Sequence, residues 1–213
     1  MKDPGAPVDL YRLLEAAGEP ELIDREIPED AEILELGCGS GRITHPLLAL
    51  GRRVVAVDFD PDMLDLIEGA EKVLSRIEDL DLGRTFGGVL LMSTLINAPE
   101  DARLALLRSV RRHLAPNGVA LIERYDPEIG KDPTPTERHV GAVTIRVSEI
   151  SRRGQRIYQT LDYDAGTHGH WHIRIDGRVI VSDDDMLASL AQAGLRLLRW
   201  IDPQRRWVAA AVA

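Results

Sequence analysis

The chain has 213 residues, 44% of them hydrophobic, which is enough for one substantial core and too little for two full domains. Its formal charge of −9, from 26 Lys and Arg against 35 Asp and Glu, disfavours a phosphate backbone or an acidic membrane as partner, so neither nucleic acid nor membrane is expected. Cys38 is the single cysteine, so no internal disulfide can form; without a basic-then-apolar leader or an apolar run near the roughly 20 residues of a spanning helix, the expectation is a protein of the reducing cytoplasm.

The opening MKDPGAP is rich in turn formers. Val8 to Ala17 places Leu10, Leu13, Leu14 and Ala17 at helical spacing, and Gly18 stands where that helix should stop. Pro20 then starts a second short helix carrying Leu22 and Ile23. Together these N-terminal helices occupy residues 1–30 ahead of the first strand, with Tyr11 read either as a pocket residue or as packing at the helix edge.

The next stretch organises the rest. An apolar run, Ile33 to Leu36, ends in a turn containing Gly37, Gly39 and Gly41, followed by a periodic segment through Leu50 and a second apolar run, Val54 to Val57, that closes on Asp58. Strand, tight turn, helix, strand is a βαβ unit whose first turn can hold a ligand against backbone amides. A dinucleotide fingerprint needs a third glycine where this chain has Arg42, so a nicotinamide oxidoreductase is disfavoured.

The string ELGCGSG, with Asp58 ending the following strand, resembles the class I S-adenosylmethionine-dependent methyltransferases. That resemblance implies an α/β fold, a doubly wound, mostly parallel seven-stranded sheet. It also implies S-adenosyl-L-methionine as cofactor, with no metal. Gly37 and Gly39 would then meet the methionine part through their backbone, flanked by Glu35 and Cys38, and Asp58 would bind the ribose hydroxyls with Phe59 beside it. On the third strand, Val73 to Ile77, the family places an acid against the adenine amino group; Arg76 occupies that place here, with Ile77 still able to offer its amide and Glu78 or Asp79 nearby.

Further along, DPDML reads as a helix entry capped by Asp60, and Gly88 to Met92 as a buried parallel strand ending at Ser93, with Ser93 and Asn97 as pocket candidates. Pro99 to Leu114 is helical and Val119 to Glu123 the fifth strand; LRSVRRHLAPNGVALIE resembles the corresponding family segment. His113 on that helix is read as a capping or surface residue. From Ala142 to Val181 the apolar residues alternate with period two around Gly154 and Gly166, giving antiparallel hairpins, an insertion that resembles the substrate-covering β roof of small-molecule methyltransferases. Ser182 caps a last helix through Ala193, and Leu195 to Ile201 and Trp207 to Val212 form the closing pair of strands.

Methyl transfer needs alignment, exclusion of water and, for a protonated acceptor, a base. Arg124, Tyr125 and Asp126 follow the fifth strand at the ligand edge, so Arg124 and Tyr125 are catalytic candidates, as is His170 of the string HGHWH. His168, His170 and His172 alternate and share a face if this is a strand, but no convergent fourth ligand accompanies them. The expected activity is methyl transfer to oxygen or nitrogen of a small molecule, by one domain over residues 1–213 with homodimerisation left open. The alternative is a non-catalytic cofactor-binding or partner-binding protein that retains the fold.

Overall fold

The computed structural model describes residues 7–213, so the turn-rich opening of residues 1–6 lies outside the described residues. Two short helices, α1 (Val8–Tyr11) and α2 (Glu19–Glu26), lead into β1 (Ile33–Leu36), α3 (Thr44–Ala49), β2 (Val54–Asp58), α4 (Pro61–Leu64) and β3 (Glu71–Leu74). A 3-10 turn, Ile77–Asp79, precedes β4 (Phe86–Leu91), α5 (Glu100–His113) and β5 (Leu114–Glu123). Four strands follow, β6 (Thr136–Val140), β7 (Val143–Arg153), β8 (Arg156–Asp164) and β9 (His170–Val179), then α6 (Asp183–Gln192), β10 (Leu195–Trp200) and β11 (Trp207–Val212).

The main sheet has seven strands in the order β10-β11-β5-β4-β1-β2-β3. β11 runs antiparallel to both β5 and β10, and the remaining pairs are parallel. Burial on both faces explains why β1 and β2 are apolar apart from Glu35 and the closing Asp58. Leu34 and Leu36 pack with Leu107, Val110 and Leu190 on the α5 and α6 side, while Ile33, Ile43 and Leu47 form a second layer with Ile23 and Ile27 of the α2 side. A capping box between Ser182 and Asp185 starts α6, and basic Arg111 and Arg112 close α5, where the helix dipole favours them.

The second sheet has the order β6-β7-β8-β9, all antiparallel. It begins before Ala142 because Thr136–Val140 pairs with β7 through a two-residue turn with Gly141 first (φ +58), a hairpin that two prolines just upstream disguise as loop. Its inner face sets Val143, Ile145, Leu161, Trp171 and Ile173 against Leu10. The expected helix over Val8 to Ala17 stops at Tyr11, whose carbonyl accepts the Leu14 amide at 3.2 Å in one further turn and the Ser40 hydroxyl at 2.9 Å.

His113 corrects the surface reading. It is fully buried: Nδ1 donates to the Ser109 carbonyl at 2.8 Å and Nε2 accepts the Leu82 amide at 3.1 Å. Only the neutral ring makes both bonds, and burial holds its pKa below the ordinary histidine value. The unfolded chain therefore takes up this proton first as pH falls, and stability drops as pH passes below about 6.5. Denaturant unfolding between pH 7.5 and 5.5 should show wild type losing stability faster than His113→Phe; parallel curves would contradict the assignment.

Candidate active site

The end of β2 grips the glycine turn through consecutive amides. The Val57 carbonyl accepts Gly37 N–H at 2.8 Å and Cys38 N–H at 2.9 Å, and Asp58 Oδ2 accepts Gly39 N–H at 2.8 Å. Gly37 has φ +78, and a Cβ there would lie 2.8 Å from the Leu95 side chain, so only glycine leaves this surface open. Gly39, at φ +54, lies under the Tyr11 ring, 3.7 Å from where its Cβ would be. A cleft of ≈ 420 Å³ lined by Tyr11, Ser40, Gly41, Arg42 and His45 flanks the turn.

Asp58 is buried, and its Oδ1 also accepts Asp60 N–H at 3.0 Å. A carboxylate offers about four acceptor positions, so roughly two stay available for a pair of hydroxyls. Next to it Phe59 is 60% exposed, an apolar ring at the sheet edge, with the Arg76 guanidinium 5.9 Å from its centroid. Ile77 opens the 3-10 turn, and its side chain converges with Leu95 above Gly37. Arg76 pairs with Glu78 at 2.6 Å, so a cation and an acid both stand beside Phe59 and Ile77. Hydroxyl acceptors, a bare apolar ring and an open glycine surface in one line fit a nucleoside joined to an amino acid.

Glu35 and Cys38 lie beneath this surface. Glu35 is buried and accepts the Thr44 hydroxyl at 2.6 Å, which ties β1 to the start of α3. Burial pushes its pKa up to about 7; Thr44 and Arg42 pull it down and Asp58 adds to the rise. Cys38 is buried, with its thiol pushed far above the ordinary range by burial and by Glu35, so no thiolate forms there at neutral pH.

At the ends of β4 and β5 the backbone is unusual: Ser93 (φ 54) and Thr94 (φ 58) both take left-handed conformations. Ser93 N–H donates to Glu123 Oε2 at 2.8 Å. Asn97, fully buried, accepts Tyr125 N–H and donates to the Val179 carbonyl, each at 2.8 Å, linking both strand ends to the exit of the second sheet. Sequence reasoning passed over Glu123, although an acid closing the apolar run VALI at the ligand edge is a visible signal.

Two catalytic expectations meet a different placement. The Arg124 side chain is fully enclosed: its guanidinium donates to the carbonyls of Arg205 (2.8 Å) and Val181 (2.7 Å), pairs with Asp183, and stacks 4.4 Å from the centre of the Trp200 ring. It fastens the closing strands and α6 to β5 and faces no ligand surface. His170 lies on the outer face of β9, since neighbouring Trp171 turns inward with Ile173 toward Leu10. Its side chain is 68% exposed and 3.3 Å from Asp164; His172 pairs with Asp162 at 2.6 Å in the same way. His168 belongs to a 3-10 turn and does not join that face. Tyr125 stays at the strand end, partly buried, with its amide donating to Asn97 Oδ1, and burial raises the Tyr163 phenol on the inner sheet face above its ordinary value.

Because the folded state prefers protonated Glu35, the stability this residue supports is full below its ordinary value of 4.5 and is lost as pH rises through about 7. Glu35→Gln keeps an acceptor for Thr44 without the charge. Relative to wild type, its melting temperature should rise progressively from pH 5 to pH 8; a relative fall over that range would place the charge elsewhere.

Residues 33–118 match the family model described as a methyltransferase domain. The cypemycin N-terminal methyltransferase of a Streptomyces species is 38% identical over 103 residues, which cover 45% of this chain and 42% of that protein, so the match spans less than half of the relative. The dTDP-4-amino-2,3,4,6-tetradeoxy-D-glucose N,N-dimethyltransferase of Saccharopolyspora spinosa is 26% identical over 85% of this chain and 78% of its own length. The structure of the sugar N-methyltransferase KedS8 from Streptoalloteichus shares the fold at a TM-score of 0.75 and 22% identity, covering 100% of this chain and 95% of that one. The grip of Val57 and Asp58 on the glycine turn and the seven-stranded order thus accompany a methyltransferase-domain match over residues 33–118, in a chain whose whole length shares the fold of a solved sugar N-methyltransferase.

Proposed function

We propose that the protein transfers a methyl group from S-adenosylmethionine to an amine nitrogen of a small molecule. The observation that carries the reading is Asp58, fixed by the Gly39 and Asp60 amides at the end of β2 with acceptor positions to spare beside the open glycine surface. The bound cofactor supplies an electrophilic methyl group. Gly37 and Gly39 would lie along its amino-acid part, Asp58 at the ribose and Phe59 with Ile77 at the base. Nitrogen is favoured over oxygen because two of the three relatives described above are named as N-methyltransferases of sugars and the third as an N-terminal methyltransferase.

The acceptor would sit beyond the ends of β4 and β5, near Ser93 and Tyr125, with residues 142–181 as a roof and the N-terminal helices as a cover. Tyr11 beside Gly39, and Tyr163 on the inner sheet face, give that space an aromatic, hydroxyl-bearing wall suited to a polar amine. A formal charge of −9 favours a small acceptor over nucleic acid. The buried, protonated Cys38 thiol suits a reducing cytoplasm.

A second reading, cofactor binding without transfer, draws on Arg76, the cation at the adenine end where the resembled family has an acid. One assay separates the two. Calorimetry should show S-adenosylhomocysteine binding, weakened by about 1.5–3 kcal/mol in Asp58→Ala as charge-assisted bonds are lost. Methyl transfer to an amine panel should accompany it. Binding without transfer would favour the second reading, and unchanged affinity in Asp58→Ala would move the ribose away from Asp58.

A further inference from the structure

We infer that Glu123 is a catalytic residue, the group that binds the acceptor's ammonium and takes its proton, an assignment that rests on the amine reading above.

Glu123 ends β5 one residue beyond the Leu91–Ile122 pairing of β4 and β5, so it stands level with the strained loop at Ser93. Like Leu121 two residues before it, it projects to the α2 and α3 side of the sheet, the side of the glycine turn, whereas Ile122 and Arg124 project to the α6 side. One oxygen, Oε2, is fixed by Ser93 N–H at 2.8 Å. Among the described residues Oε1 has no hydrogen-bond partner, and the side chain is partly buried rather than sealed, so this oxygen opens at the ligand edge.

The local charges suit the task. Burial raises the Glu123 carboxyl above the ordinary range; Glu19 adds to the rise, and Ser93 N–H, Arg42 and Arg206 oppose it. Arg42 is itself neutralised by Glu19 at 2.5 Å, which limits its pull. An ordinary carboxylate is a weak base toward an ammonium, and a raised one is closer to the task. A sulfonium held nearby lowers the ammonium's own pKa by like-charge repulsion, which narrows the gap further.

The step balances as follows. The acceptor N–H⁺ proton passes to Oε1, leaving a neutral amine and a carboxylic acid. The nitrogen lone pair forms the C–N bond to the methyl carbon while the C–S bond breaks, its electron pair staying on sulfur as a neutral thioether. The positive charge ends on the methylated ammonium.

A structural role, holding Ser93 alone, makes a different prediction. Glu123→Gln keeps a side-chain carbonyl for Ser93 N–H and cannot take a proton. With dTDP-4-amino-2,3,4,6-tetradeoxy-D-glucose and a free-amine peptide as probes, Glu123→Gln should lower kcat about a hundredfold or more and remove the acidic limb of the kcat–pH profile. Its S-adenosylhomocysteine affinity should stay within about threefold, which also reports an intact fold. Without any acceptor, the carbon-13 carboxyl signal that disappears in Glu123→Gln should titrate above the ordinary glutamate range in the S-adenosylhomocysteine complex. Wild-type rates in Glu123→Gln, a rate loss that leaves the acidic limb in place, or a titration at or below the ordinary range would each overturn the assignment alone. Should wild type bind S-adenosylhomocysteine yet methylate neither amine, the amine reading falls and the assignment with it.

Discussion

The hold of one strand end on one turn organises this protein. Val57 and Asp58 together accept the amides of Gly37, Cys38 and Gly39, so the turn after β1 cannot move without β2. A loop of three glycines would otherwise be among the costliest segments of the chain to order. Held this way it presents a fixed concave backbone surface, and the same carboxylate keeps acceptor capacity at its rim. Glu35, bonded to Thr44 below, anchors the start of α3 to β1 and completes the support from underneath.

A second set of contacts carries that order across the sheet. Asn97 joins the loop after β4 to the end of β5 and to the last residue of β9. Arg124 joins β5 to the residue before Ser182, to α6 and to the loop between β10 and β11. A guanidinium with such partners is buried because its donors are satisfied, and removing them would leave an unpaired buried charge. The inserted sheet is thus tied at its exit to the strand ends, and through Leu10 and α1 at its inner face to the neighbourhood of Gly39.

Much of this was legible in the sequence. ELGCGSG, the alternation after Ala142 and the Ser182 cap each express a local rule, strand pairing, pleat period or helix capping, that tertiary structure did not override. What was not legible was direction. Arg124 and Glu123 are adjacent on one strand and so point to opposite faces, and topology alone made the arginine the candidate when the acid is on the side of the turn. His170 failed for the same reason, one residue of pleat from an inward Trp171. His113 looked like a surface residue because its partners, Ser109 and the Leu82 amide, include one 31 positions away that no periodicity reveals. At the early end of α1, Tyr11 meets Ser40, 29 positions on.

The central claim is that the ligand is held where β1, β2 and β4 end, with its ribose on Asp58. A crystal structure of the S-adenosylhomocysteine complex tests it most directly. The account predicts both ribose hydroxyls on the Asp58 carboxylate, the amino-acid part along Gly37 and Gly39, and the sulfur facing the ends of β4 and β5. Density for the ligand in the cleft beside His45, with Asp58 still bonded only to Gly39 and Asp60, would contradict it.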